Sequence, residues 1–406
     1  MIATRPTRAV RVAALLAAMT IAAGATSAAA QASTDHLFAT WGPSMTIGGP
    51  TFNNQTIRMV VHTSIGGKSV RVELSNLRST TPLSVGAVDL AEQATAATAV
   101  PGTHYTVTFS HSPSVTIPTG AELLSDPIPM KVGAGENLLV SIDLPQATTS
   151  ATWHSDAFDT SYLSVPGNHT RDDTDGNFTT ATTSWYYLSG VDVMSSKAAG
   201  TVVTFGDSIT DGYNTPTGAY ATWPDDLARR LTGTNPMAVV NAGIGGNRVL
   251  TDVPNIWQGI SAIKRFGHDA LEQPGVRDVV LLEGINDIGN NAGPNGAPLT
   301  VQDLVDGYRN LIGQAHAAGV RIIGATMLPD YGNGYYSSSA EDIRQAANDW
   351  IRTSGAFDGV IDFDKVMRDP ANLIALNPSY DSGDHLHPNA AGMQAMANAV
   401  DLQLLN

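Results

Sequence analysis

The 406 residues carry Lys+Arg 22 against Asp+Glu 37, a net charge of −15, so the surface field repels phosphate backbones and anionic headgroups, and no nucleic-acid partner is expected. Hydrophobic residues make up 42% and charged ones 15%, with 39 Gly and 22 Pro, which excludes a disordered chain and describes a folded, loop-rich one. The length exceeds what one hydrophobic core usually serves, predicting two domains, and the zero cysteines exclude disulfides, thiol catalysis and thiolate metal sites.

At the N-terminus, Arg5, Arg8 and Arg11 precede an apolar run from Val12 to Ala23 and a small-residue stretch closing with Ala28-Ala29-Ala30-Gln31-Ala32. That pattern reads as a secretory signal peptide over residues 1–32. Its apolar run falls short of the roughly 20 residues that span a bilayer, so the expectation is a secreted, extracellular protein without a stable membrane anchor.

Residues 33–196 read as an all-β sandwich, jelly-roll-like. Thr56–Val60 and Ser69–Leu74 alternate polar with apolar around Gly66-Gly67, predicting a hairpin. Tyr105–Phe109, Ser114–Ile117 and Leu138–Ile142 are further short strands bounded by turn formers.

The pattern changes near Lys197. Uniformly apolar strands at Val202–Phe205, Ala238–Val240, Val279–Leu282, Arg321–Gly324 and Val360–Phe363 alternate with helical spacing at Trp223–Leu231, Val301–Ala318, Ala340–Thr353 and Asn389–Leu405. Buried parallel strands separated by helices predict a three-layer α/β/α domain, flavodoxin-like, over 197–406.

In such a sheet ligands bind beyond the carboxyl ends of the strands. After the first strand, Gly206-Asp207-Ser208-Ile209-Thr210-Asp211-Gly212 is a glycine-flanked turn presenting the Ser208 hydroxyl at the head of a helix, where its N–H is free to meet an oxyanion. Neither G-x-x-x-x-G-K-[ST] nor G-x-G-x-x-G occurs, so a nucleotide-binding turn loses its support. Near the C-terminus, Asp384 precedes His387 by three residues and can fold back on its ring, fixing the tautomer of a base that takes a serine proton. Asp384, His385 and His387 as three metal ligands are the competing reading, but no H-E-x-x-H or second His cluster completes a shell, and no metal or cofactor is expected. Gly246 after the second strand and Asn286 after the third could add donors to that of Ser208.

Gly206-Asp207-Ser208, Gly246, Gly284-Ile285-Asn286-Asp287 and Asp384 with His387 together resemble the GDSL, or SGNH, hydrolase family, in the family's order, over roughly Thr201–Asn406. The resemblance implies Ser208 as nucleophile, His387 as general acid and base, Asp384 as its orienting partner, and Ser208, Gly246 and Asn286 as the oxyanion hole. His385 then falls outside the triad. Gln55–Arg58, Ser64–Lys68 and Leu74–Asn76 also resemble the β-sandwich that precedes this domain in secreted actinobacterial members, and the architecture is similar to that of carbohydrate esterases with a jelly-roll domain.

The implied function is a secreted serine esterase on short-acyl esters, with O-acetyl groups on carbohydrates among them. A small-molecule or polysaccharide ester is the implied partner. A lipase or lysophospholipase acting on longer chains, or an idle secreted glycan-binding protein, are the alternatives. Acyl length, alcohol, acceptor and oligomeric state stay open. Trp257, Tyr331, Tyr335 and Tyr336, in loops of the second half, are candidates to stack on sugar rings or to pack between loop and helix.

Overall fold

The computed structural model describes residues 35–252 and 256–405, so the signal-like segment at 1–32 lies outside the described residues. From Asp35 to Val193 the chain builds antiparallel sheet. One sheet orders His36–Trp41, Leu188–Ser195, Val70–Ser75 and Glu122–Leu124; a larger one orders Phe178–Thr182, Ser161–Pro166, Gln55–His62, Asn137–Leu144, Ala87–Thr95 and Thr98–Ala99. Alternation turns one apolar face of each sheet into the same core, where Ile57, Met59 and Val140 from the larger sheet meet Val72, Leu74 and Val191 from the smaller, while Val60, Ala91 and Leu139 form a small buried cluster on the larger sheet's other face.

This arrangement corrects the expected hairpin. Gln55–His62 pairs with Asn137–Leu144 and Ser161–Pro166, whereas Val70–Ser75 pairs with Leu188–Ser195 and Glu122–Leu124. Gly66-Gly67 therefore carries the chain from one sheet to the other, with the Gly67 N–H donating to the Val132 carbonyl at 3.0 Å. The two alternating runs face each other across the core instead of lying side by side.

From Gly200 the sheet is parallel, as β-branched and apolar runs buried on both faces require. Its order is Met237–Gly243, Gly200–Gly206, Val276–Leu282, Arg321–Ala325, Gly359–Ile361. The direction of strand succession reverses at Gly200–Gly206, the topological switch point where open α/β sheets bind ligands. In register, Gly206 lies level with Gly243 on one side and Leu282 on the other, so the loops that follow these three strands open at one edge.

Two predicted elements end earlier than their apolar patterns suggest. Phe363 belongs not to the last strand but to a helix, Phe363–Met367, started when the Asp362 side chain accepts from the Lys365 N–H. The C-terminal helix is Ala390–Ala399; Val400 adopts an extended ψ of 115° and a separate 3₁₀ turn follows at Leu402–Leu405. Helices Trp223–Arg230, Ala390–Ala399 and Phe363–Met367 pack in series, and Val301–Ala317 packs on Ala262–Phe266 and Ser338–Thr353.

The antiparallel and parallel regions share a tight boundary, and the described chain packs as one compact unit. The Ser64 hydroxyl accepts the Val239 N–H at 3.1 Å while donating to the Thr40 carbonyl. Ala39 belongs to the core of the parallel region and Ala238 to that of the antiparallel one. Arg265, buried over the Phe205 ring, donates to the Gly206 and Ala242 carbonyls, to Asn247 Oδ1 and to the Ser44 hydroxyl, clamping two strand ends to the N-terminal half. Among the described residues no helix is long and apolar enough to cross a membrane.

Candidate active site

The turn after Gly200–Gly206 is built for a serine at a helix start. Asp207 caps the helix by accepting the Ile209 N–H at 3.0 Å, and Ser208 is the first residue of a four-residue helix, Ser208–Asp211. Gly212, at φ 117°, ends that helix; a Cβ there would sit 2.3 Å from Thr222 Cγ2, so the left-handed position admits only glycine. A backbone N–H at the first helical position has no intrahelical acceptor, so the helix itself leaves the Ser208 N–H unused.

Ser208 Oγ lies 2.8 Å from His387 Nε2, and His387 Nδ1 lies 2.7 Å from Asp384 Oδ2. The acidic residue is itself held. Asp384 Oδ1 accepts the backbone N–H groups of Leu386 and His387, at 3.0 and 2.8 Å, and Oδ2 accepts Asn214 Nδ2 at 3.0 Å. These bonds to its ionised form hold the Asp384 carboxyl below the usual carboxylate range against the opposing effect of burial. The Nδ1–H of His387 faces a carboxylate, leaving Nε2 as the acceptor toward Ser208. Burial pulls His387 below the usual imidazole range and outweighs the pull of Asp384, so the ring is neutral and able to accept a proton near pH 7. The Tyr213 ring lies over it, centroids 4.5 Å apart.

The other two predicted residues line the same cavity. Gly284, at φ 127°, turns the chain directly from the third parallel strand into the helix Ile285–Gly289; a Cβ would meet Tyr308 Oη at 2.6 Å. The turn buries Asn286 at the cavity floor. One hydrogen of its Nδ2 is used on the Asn247 carbonyl at 3.0 Å, which orients the amide and leaves the second hydrogen available. The adjacent Asp287 accepts the N–H groups of Val249 and Leu250, tying this helix to the loop that carries Gly246. Gly246, at φ 74°, follows the second strand.

All five residues border one open cavity of about 600 Å³, together with Tyr213, Gly245, Trp257, Gln258, Tyr335 and Leu386. Its outer wall was not foreseen from sequence: Trp153, Ser155, Asp156 and Ser184 come from the antiparallel half. Two of the four candidate stacking residues, Trp257 and Tyr335, reach this cavity; Tyr331 instead packs edge-on against Tyr336, centroids 4.9 Å apart. His385 turns away to Asp381 Oδ2 at 2.6 Å, so Asp384, His385 and His387 do not converge on one point. Asn214 and Asn333, which brace Asp384 through side chain and carbonyl, also carried no sequence signal beyond being loop asparagines.

Behind the serine lies a buried acidic core. Burial pushes Asp207 and Asp287 up to about 7, with the charge of Asp287 adding to it at Asp207, and raises Glu283 well above the carboxylate range. Both Glu283 oxygens lack a hydrogen-bond partner, and the Arg265 guanidinium, 3.7 Å away, only partly opposes the effect of burial and of Asp207.

Residues 204–395 match the model of the GDSL-like lipase/acylhydrolase family. No curated protein matches the chain. Solved structures similar to it include a GDSL-like lipase from Bacteroides thetaiotaomicron, 21% identical over 51% of this chain and 88% of that one, TM-score 0.39. A carbohydrate acetylesterase from Sinorhizobium meliloti is 17% identical over 49% and 95%, TM-score 0.36. A catalytic mutant of an acetylxylan esterase from Geobacillus stearothermophilus is 20% identical over 52% and 95%, TM-score 0.39. The chain carries a GDSL-like acylhydrolase domain and is an ester hydrolase.

Proposed function

We propose that this protein is a secreted carboxylic ester hydrolase working by acyl transfer to Ser208, and that it acts on short-acyl esters, including O-acetyl groups on carbohydrates. The observation that carries the mechanism is the continuous hydrogen-bond chain from Ser208 Oγ through the His387 ring to Asp384. In the first step Ser208 Oγ bonds to the ester carbonyl carbon as its proton passes to His387 Nε2. The oxyanion is met by the N–H groups of Ser208 and Gly246 and the free amide hydrogen of Asn286. Collapse breaks the bond to the alkoxy oxygen, which leaves with the proton from His387. Water then repeats the sequence on the acyl-enzyme, releasing the acid and restoring the serine.

Three features support the substrate class. The cavity is open at its outer side, the rings of Trp153, Trp257 and Tyr335 lie beside the carboxylate of Asp156 and the hydroxyls of Ser155 and Ser184, and no long apolar lid segment stands ahead of the serine turn. Flat rings next to hydroxyl acceptors suit a neutral polyol leaving group. Export rests on the signal-like residues 1–32. We read the fold in finer terms as an antiparallel sandwich, residues 33–196, ahead of a three-layer α/β/α domain, residues 197–406.

Initial rates on p-nitrophenyl esters from acetate to palmitate, with Ser208→Ala as control, test this reading. Rates falling steeply beyond butyrate and abolished in the variant are expected. A maximum at long chains would assign a lipase, and serine-independent turnover would overturn the mechanism.

A further inference from the structure

Besides the wall residues, the antiparallel half sends one buried histidine toward the serine turn. His154 lies in the two-residue strand Trp153–His154, paired with Trp185–Tyr186, and only 3% of its surface is exposed. Its Nδ1 faces the Ser44 carbonyl at 2.8 Å and its Nε2 faces Asp211 Oδ1 at 3.0 Å. Both partners are acceptors, so both ring nitrogens carry hydrogen and the ring is an imidazolium.

Asp211 closes the four-residue helix that begins at Ser208, and its other oxygen, Oδ2, accepts the Gly245 N–H at 3.1 Å. Gly245 is covalently joined to Gly246. One buried carboxylate thus ties the nucleophile turn to the oxyanion turn, and its charge is balanced from across the boundary between the halves. An uncompensated carboxylate at that place would oppose the negative charge that develops on the substrate oxygen, in a site where water screens little.

We propose that His154 is a positioning residue of the hydrolytic site, acting through Asp211 to fix the Gly245–Gly246 turn and to cancel the carboxylate charge behind the oxyanion hole. The inference rests on Gly246 being an oxyanion donor, as in the proposed mechanism. It makes the antiparallel half part of the catalytic apparatus and not an appended module.

The charges that bear on this pair are few. Asp211 and Asp156 act on His154; burial and Asp156 raise Asp211 against the pull of His154 and the Gly245 N–H; and Asp211 in turn raises Asp207 within the serine turn. Burial opposes the charge on His154, but Asp211 and the Ser44 carbonyl prevail and push it up to about 9. The ring stays charged across the working range of a neutral His387.

The test compares wild type, His154→Gln and the double variant His154→Gln/Asp211→Asn on p-nitrophenyl acetate between pH 6 and 10, with Ser208→Ala run alongside. Gln retains a donor but not the charge. At pH 8 the single variant is expected to lose roughly tenfold to a hundredfold in kcat, less than removal of a direct oxyanion donor, with KM within about twofold. Its deficit shrinks toward pH 6, where the unpaired Asp211 takes up a proton. The double variant, lacking the uncompensated carboxylate, recovers most of the lost kcat. Wild-type kcat falls above pH about 9 as His154 discharges. A merely structural His154 would give a deficit flat with pH and no recovery in the double variant, and either result overturns the proposal. Should the single variant fail to fold, the wild-type alkaline limb decides: its absence overturns the proposal. Residual turnover in Ser208→Ala would instead sink the hydrolytic mechanism itself, which separates the two failures.

Discussion

Replacing Asp384 by Asn probes the geometry of the base more sharply than any truncation. The amide is isosteric with the carboxylate, yet it must choose which neighbours to satisfy. Asp384 Oδ1 accepts two backbone N–H groups and Oδ2 accepts His387 Nδ1 and Asn214 Nδ2. An Asn that keeps its oxygen toward the two backbone donors turns its NH₂ toward His387, which must then present a bare Nδ1 and carry its hydrogen on Nε2. In that tautomer Nε2 cannot accept the Ser208 proton. A wrong tautomer costs about 10⁴-fold in kcat, or about 5.5 kcal/mol. Here the Asp384 side chain is 36% exposed, so water competes for the amide and part of the ensemble keeps the productive tautomer. The expected loss is therefore about 10²–10⁴-fold, or about 3–5.5 kcal/mol, with KM little changed. Initial rates on p-nitrophenyl acetate at pH 8 measure it, with a thermal melt to verify that the fold is retained. A folded Asn variant within tenfold of wild-type kcat would refute the tautomer argument.

Three further outcomes follow from the same geometry. Asn286→Ala removes one oxyanion donor and is expected to lower kcat by about 10²–10³-fold on any ester turned over by the wild type; a change confined to KM would reassign Asn286 to ground-state binding. Because burial lowers His387, the acid limb of kcat/KM lies below the ordinary imidazole value of 6.5, and a pH–rate profile with its midpoint above 7 would contradict the neutral-base assignment. Asp207, Asp287 and Glu283 have raised values in the folded chain, so the native state holds protons that the unfolded state releases. Stability from these groups is fully present below their unfolded values, near pH 4, and is lost as pH rises through about 7. The melting temperature should fall from pH 5 to 8, and Glu283→Gln, which fixes the neutral form, should flatten that fall; equal slopes in calorimetry would show Glu283 to be ionised in the fold.

The candidate site was legible because its residues sit in short segments with local logic. Gly206-Asp207-Ser208 needs a tight strand-to-helix turn, and Asp384 and His387 lie within one turn of each other, so spacing alone brings them together. The parallel strands announced themselves as mostly apolar runs, since burial on both faces leaves few polar positions, such as Thr204 and Asp278. Pairing partners were less legible. Ile57, Met59 and Val61 alternate just as Val70, Val72 and Leu74 do, because both strands bury one face in the same core; alternation reports the face, not the neighbour, and the expected hairpin failed there. His154 was invisible for a related reason. A single histidine in a two-residue strand carries no period, and its partner Asp211 is 57 positions away. The outer wall from Trp153, Ser155, Asp156 and Ser184 depends on how the two regions meet, which no local pattern encodes.

The central claim is that Ser208 forms the covalent intermediate. Treatment of the full chain with a fluorophosphonate, followed by intact and peptide mass spectrometry with residual ester hydrolysis measured on the same samples, tests it most directly. The account predicts one adduct, on the peptide bearing Ser208, with activity falling in proportion to labelling. Full labelling elsewhere, or undiminished hydrolysis with Ser208 modified, would contradict it.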